Sequence, residues 1–448
     1  MKTYQDLLEV EEGRINDFVF KAVADYKNSA MYRNACRGID YSTGHNTAIS
    51  EFRKLLYTIT GEAVPDNYSA NHKTVSNFLQ RLTCQQSSYL LSNGVQFEND
   101  DTKEVFDADI DTKLLTAAQD SLIQGAVYGF YNLDHVEYFT ASEFLPLYDE
   151  ETGALRAGIR FWQISDKKPL RATLYEEDGY TELMKRKGSI TVMNEKRPYV
   201  VYTAESEADG LRIVDGKNYA SFPIVPLYAN KAKQSELIPI KSQIDAYDLI
   251  KSGFANDLDD ASMIYWTINN AGGMTDIDLR KFVERMKVVK AAVVDDEAKA
   301  EAHTMDVPYE SREAYLNRLE KDIIKDYMGL DTESISAGNV TATQIKAAYE
   351  PLSEKCDRFE ALVIEHLLGL MRIAGIDDYP KFRRSQMSNE LEQTQMIISC
   401  ANVLDTQTIL EHLPFLTVDE VPAILERIQA EEAERIINEP LISEGDDE

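Results

Sequence analysis

The chain has 448 residues, 44% hydrophobic and 28% charged, which excludes a disordered or low-complexity polymer and allows several modules with shared buried surface. Its 77 acidic against 47 basic residues give a formal charge of −30. That excludes tight DNA binding through neutralised phosphates, but not a surface past which DNA slides. The opening MKTYQDLLEVEEGRINDF lacks the apolar core and cleavage site of a secretion signal, and no run of about 18 apolar residues occurs, so the chain is expected to stay in the cytosol where it is made. Cys36, Cys84, Cys356 and Cys400 form no C-x-x-C pair and read as buried reduced thiols.

In chain order, residues 1–65 read as a polar helical layer with a turn at YSTGHN (41–46). A helix is expected over 71–94, with Asn71 as its cap, and an apolar helix over about 112–129. From 131 to 226 the period changes to short β-rich segments, AGIRFWQI (157–164), RATLY (171–175), TELMK (181–185) and YVVYT (199–203), which predict an antiparallel sheet. A long helix is expected from about 235 to 262, with Ile240, Ile244, Tyr247, Phe254, Leu258 and Ala261 as its stripe, roughly 40 Å long. A second, over about 309–328, carries Leu316, Leu319, Ile323 and Tyr327. Between them a small α/β insertion is read, with strands at 263–268 and 288–294 and a helix near 277–286, so that the two helices form a protruding arm. The polar stretch DTESISAGNV (331–340) precedes a capping box of Thr341 and Gln344. Pro351 is expected to kink the helix that follows. Helices over 390–402, 405–412 and 421–437 lead to an acidic tail beginning at Glu431 that reads as frayed.

No catalytic motif emerges. GLRIVDGKN (210–218) misses the phosphate-loop spacing and lacks its terminal Ser or Thr. The six histidines contain no H-E-x-x-H, and His366 in VIEHLLGL reads as a satisfied core residue. Asp257, Asp259 and Asp260, or Asp295, Asp296 and Glu297, offer carboxylates for a divalent metal, but the first group reads as a solvated helix face and the second as a strand-end turn. A soluble acidic metal-dependent enzyme built on Asp257 to Asp260 stays open as one alternative, and another ring-forming head–tail adaptor as a second.

Several segments occur together in order: YSTGHN (41–46), NHKTVSNFLQRLTCQQSSYLLSNG (71–94), the G-x-x-Y-G core of 124–129, FLPLYD (144–149), FPIVPLYANK running into SELIPIKSQIDAYDLIKSGFAND (222–257), GNVTATQIK (338–346) and the segment 388–414. Collinear along nearly the whole chain, they resemble the portal proteins of long-tailed bacteriophages, the family typified by a Bacillus siphophage portal. Thr341 and Ala342 stand where that family usually has Ser-Gly, and Asn402, Val403 and Leu404 replace a glycine-containing turn.

The resemblance implies an α+β, predominantly helical portal-type subunit. Its parts would be a wing (1–230, with the kinked helix 341–379), a stem of two helices (231–262 and 309–330), a clip (263–308), a tunnel loop (331–340), and a crown with an acidic tail (380–448). It implies a structural, non-enzymatic role without metal or cofactor: a dodecameric ring at one capsid vertex of the virion, through which double-stranded DNA is packaged and ejected. Its partners would be the terminase large subunit, a head-completion adaptor, and the scaffolding and major capsid proteins, with no membrane. Ser334, Ile335, Ser336, Ala337, Gly338 and Asn339 are the expected DNA-contacting collar. Asp248, Asp257, Asp259 and Asp260 are the expected acidic channel lining.

Overall fold

A computed structural model of the chain describes residues 2–57, 61–66, 69–99, 101–107, 109–207, 210–261, 265–269, 275, 277, 299–303, 309–335, 341–385, 394, 397–399, 404–413, 416 and 421–438. They fall into two compact units, Met1–Gly329 with Lys355–Arg383, and Leu330–Glu354 with Arg384–Glu448. The fold is mixed α+β and mostly helical.

The first unit opens with helices α1 (Tyr4–Leu8), α2 (Ile15–Lys27), α3 (Ala30–Ser42) and α4 (Thr47–Ser50) and a hairpin of β1 (Leu55–Tyr57) and β2 (Ala63–Pro65). Thr3 and Asp6 form a reciprocal cap on α1. In α2, Val19, Ala22, Val23 and Tyr26 recur at helical spacing and are buried against sheet residues such as Leu145, Ile159 and Leu174. Next come α5 (Phe78–Leu91), β3 (Val95–Gln96), α6 (Asp101–Phe106) and α7 (Ile110–Gln124). Two helix expectations are corrected here. Residues 71–77 are not helical, for a reason set out below. The helix expected to run to 129 stops at Gly125, whose φ of 96° makes a left-handed cap. The aromatic run Ala126–Asn132 becomes strand β4 instead.

Strands β5 (His135–Thr140), β6 (Phe144–Tyr148), β7 (Leu155–Trp162), β8 (Leu170–Glu176), β9 (Gly179–Arg186), β10 (Ser189–Arg197), β11 (Val200–Glu207), β12 (Gly210–Lys217) and β13 (Ile224–Tyr228) follow. β6 to β10 form an antiparallel meander, β13-β4-β5 a three-stranded sheet, and β11-β12 a separate ribbon. The phosphate-loop near miss is therefore strand β12. An aromatic core containing Tyr128, Phe130, Phe139, Phe144, Tyr175 and Tyr199 fills this region.

Helix α8 (Lys241–Ala261), the two-stranded pair β14 (Tyr265–Asn269) and β15 (Lys299–His303), and α9 (Tyr309–Tyr327) complete the long-helix pair. At 21 residues α8 is about 32 Å long. It begins six residues later than expected, because residues 235–240 form turns, with the Ser235 hydroxyl accepting the Leu237 N–H at 3.1 Å. The strand expected over 288–294 and the helix near 277–286 lie outside the described residues, apart from Ile277. Helix α10 (Ala342–Ala374) contributes its second half to this unit, burying Phe359, Val363 and Leu367 with Leu90, Leu114 and Leu227. β16 (Lys381–Phe382) pairs with β3.

In the second unit a 3-10 turn at Thr332–Ile335 precedes the start of α10. The Gln344 N–H donates to the Thr341 hydroxyl at 3.3 Å, and the Thr341 N–H donates to Gln344 Oε1 at 3.0 Å. Pro351 lies inside α10 and removes one donor from its ladder. Helix α11 (Thr406–His412) is capped by Asp405, and α12 (Val421–Asn438) carries Pro422 in its first turn. α12 is the helix expected over 421–437, ending at Asn438, and the rest of the acidic tail lies outside the described residues. The helix expected over 390–402 lies mostly outside the described residues.

Candidate assembly site at the root of the paired helices

α8 and α9 run antiparallel, as two polar links at consistent register record: Gln243 donates to Asp326, and Arg312 pairs with Asp257. At the end nearest the body, Ile240 just before the first helix, Ile244 within it, and Ile323 and Tyr327 of the second are buried together with Tyr41, Phe78, Leu79 and Leu82. At the far end the cover disappears: Leu258 is 52% exposed, Tyr309 55% and Tyr315 49%.

The root is fixed by buried polar groups as well as by apolar packing. Segment 72–76 lies extended along α8, and its alternate N–H groups donate to side chains spaced four apart on the helix. His72 donates to Asn256 Oδ1 at 2.6 Å, Thr74 to Ser252 Oγ at 2.9 Å, and Ser76 to Asp248 Oδ1 at 2.9 Å. Two residues of extended chain cover roughly 6.6 Å and four residues of helix about 6 Å, so the two periods run in step. Asn46 donates to the other oxygen of Asp248 and to the Ser76 carbonyl. Tyr41 donates to Asp245, which also accepts from Lys241 Nζ at 2.6 Å. Three segments far apart in sequence, YSTGHN, NHKTVSN and QIDAYDLIKSGFAND, thereby meet in one latch.

Of the expected acidic lining, Asp248 is fully buried, with its carboxyl raised above the ordinary range by burial. It faces the latch and does not line an exposed surface, because its two oxygens are taken by Asn46 and Ser76. Asp257 is paired with Arg312, and Asp259, about half exposed, with His72. Asp260 lies in the backbone of α8, and its side chain is outside the described set. Of the expected collar, Ser334 and Ile335 end the 3-10 turn, and Ser336, Ala337, Gly338 and Asn339 are outside the described residues.

Beside the root, Lys355 Nζ donates to Glu236 Oε2 at 2.6 Å and to the Tyr327 carbonyl at 2.8 Å, and lies 3.4 Å from the centre of the Tyr327 ring. Burial lowers its pKa. His366 is also fully buried, with its pKa lowered to about 4 by loss of solvent. Its ring packs so close to Gly129 that a β-carbon there would sit 2.7 Å from Cε1. Cys356 is buried, but Cys36 is half-buried and Cys84 exposed, so the uniform burial expected of the thiols does not hold; Cys400 is outside the described set. Among the described residues no three His, Cys, Asp or Glu side chains are grouped to hold a metal, and no helix is long and apolar enough to cross a membrane.

Comparison with known proteins decides the family. Residues 39–437 match the family model described as phage portal protein, SPP1 Gp6-like. The chain belongs to this portal protein family. A portal protein of Clostridium phage phiCD119 is 26% identical over 387 residues, covering 79% of this chain and 83% of that one. Among solved structures, a chain in the virion of a native gene transfer agent particle is similar with a TM-score of 0.44 at 10% identity, covering 84% of this chain and 91% of that chain. A chain in the neck of that particle, computed with C12 symmetry, has a TM-score of 0.40 at 11% identity over 78% of this chain and 88% of that chain. As a portal protein the chain is a structural component of a phage particle.

Proposed function

We propose that this portal protein closes into a ring of twelve at one capsid vertex, and that duplex DNA passes through the ring's axis during packaging and ejection. On this reading residues 1–230 and 341–379 form the wing, 231–262 and 309–330 the stem, 263–308 the clip, 331–340 the tunnel loop and 380–448 the crown. It acts as a conduit and a platform: the energy for packaging comes from a separate terminase motor, and an adaptor, scaffolding and capsid proteins meet the ring. It has no catalytic role, and is assembled in the host cytoplasm.

The observation that carries the ring is the open tip of the helix pair. Leu258, Tyr309 and Tyr315 are each about half exposed on helices whose other ends are fully packed, and lateral contact between copies would cover them. Ser334 to Asn339 remain the proposed collar, mostly small and all neutral, suited to weak backbone contacts that do not depend on sequence. The lining reduces to Asp257, Asp259 and Asp260, of which Asp257 is already paired with Arg312 and Asp259 is in contact with the His72 ring. Electron micrographs and mass measurement of the purified chain test the ring. Twelve 50.8 kDa copies give roughly 600 kDa with an axial opening; a monomer under every assembly condition would overturn it.

A further inference from the structure

The five-stranded meander is charged in opposite senses at its two ends. Because β6 to β10 run antiparallel in order, the β7–β8 and β9–β10 turns share one end, and the β6–β7 and β8–β9 turns share the other. At the first end are Lys167, Lys168, Arg171, Lys185, Arg186 and Lys187, with Asp166 among them. None of these cations is ion-paired among the described residues, although Lys185 lies 5.4 Å from the centre of the Phe20 ring. Lys187 and Gly188, with φ of 48° and 88°, form the tight turn that projects this basic tip. At the other end are Asp149, Glu150, Glu151, Glu176, Glu177 and Asp178, of which Glu177 pairs with Arg156, and Glu176 and Asp178 with Lys196. In a chain carrying 30 excess negative charges, a basic end without carboxylate partners invites an acidic surface.

Each end also carries one half of an apolar contact. Ile164, in the β7–β8 turn beside the lysines, is 82% exposed, the most open large hydrophobic of the described residues. At the acidic end, Ala154 and Leu155 form the rim of an open cavity of about 630 Å³ whose walls include Phe222, Pro226, Leu362 and Leu368. Knob and hole lie on opposite ends of one sheet, so a single chain cannot bring them together.

We propose that the occupant of the basic end is the acidic end of a second copy of this chain: successive subunits join head to tail, Lys167, Lys168, Arg186 and Lys187 facing Glu150, Glu151 and Asp178, with Ile164 seated in the neighbour's cavity. Contact between two different patches of one chain is heterologous and closes into a ring when the rotation between copies allows. Complementary charge sets the direction of joining and suppresses the reversed arrangement. The inference rests on the ring reading and gives it an interface.

Charge reversal in the full chain tests it. One variant carries Lys167→Glu, Lys168→Glu, Arg186→Glu and Lys187→Glu; the other carries Glu150→Lys, Glu151→Lys and Asp178→Lys. All are exposed positions in turns or, for Arg186, at a strand end, and an unchanged thermal midpoint by circular dichroism identifies folded material. Each variant alone is expected to associate at least tenfold more weakly than wild type in low salt, measured by mass photometry. An equal mixture is expected to form rings again, because the two variants can alternate. Ile164→Ser is expected to weaken association roughly tenfold at any salt concentration. Wild-type rings with variants that assemble unaided, or a mixture that stays dispersed, would overturn the head-to-tail contact and leave the ring reading standing. A wild-type chain that never forms rings would instead defeat the ring reading. Basic-end variants that keep their rings but lose affinity for duplex DNA would assign the patch to nucleic acid and overturn the proposal.

Discussion

The two ends of the long-helix pair are built from similar residues and finished differently. At the root, Ile244, Ile323 and Tyr327 are fully enclosed, and every second N–H of segment 72–76 is held by a side chain of α8. At the tip, Leu258, Tyr309 and Tyr315 face outward, and Arg312–Asp257 is the polar link between the helices nearest to it. The root is completed by its own chain. The tip is left open, and the comparison teaches that the same pair of helices is closed by its own chain at one end and, on the proposed ring, left for a neighbour at the other.

The largest expected effect lies at the root. Ile323→Ala removes a fully buried side chain from a packed cluster and should destabilise the isolated subunit by about 3 kcal/mol, read from guanidinium unfolding. A loss under 1 kcal/mol would mean that the root is no better packed than the tip.

The body in which the root is set carries an acid-sensitive group. Burial holds the His366 pKa near 4, against an ordinary value of 6.5. As pH falls, the unfolded chain therefore takes up this proton before the folded one. Stability present above pH 6.5 is lost from there down to about 4, by roughly 3 kcal/mol in all. Unfolding series between pH 7.5 and 4.5 should show this decline, and His366→Gln should flatten it. Equal slopes for the two proteins would remove His366 as the cause. Asp248, whose pKa is raised by burial, contributes in the opposite direction.

Asp248→Ala sharpens the role of the latch. It leaves the Ser76 N–H without its acceptor and frees one donor contact of Asn46, a loss of about 2 kcal/mol. Hydrogen exchange should rise first over residues 72–76; exchange that rises only globally would show that the segment is held by something other than this row of acceptors.

Much of the architecture is legible in local pattern. The 3.6-residue period of Ile240, Ile244, Ile323 and Tyr327 and the two-residue period of the 157–185 strands mark the helix pair and the meander without reference to any other segment. What escapes local pattern is set by distant partners. Val75, Phe78 and Leu79 have helical spacing, yet residues 72–76 are extended because acceptors 172 to 184 positions later claim their N–H groups before a helix can. Asp248 looks like its solvated neighbours Asp257 and Asp259 until Asn46 and Ser76 are brought against it. Neither the latch nor the opposed charges of the meander follow from spacing, since both depend on which turns the strand order gathers at one end.

The smallest effects are expected at the tip, where their smallness is informative. Leu258→Ala removes a half-exposed side chain, and Arg312→Ala breaks a partly exposed ion pair; each should change subunit stability by less than about 1 kcal/mol. If neighbouring copies cover the tip, Leu258→Ala should still lower the thermal midpoint of assembled rings by several degrees, because each of the repeated contacts loses the same buried area. Arg312→Ala should do so mainly at low salt. Differential scanning fluorimetry on rings and on dissociated subunits separates the two cases. A Leu258→Ala ring that melts with wild type would mean that the exposed tip stays exposed after assembly, and that the helices meet their neighbours nearer the root.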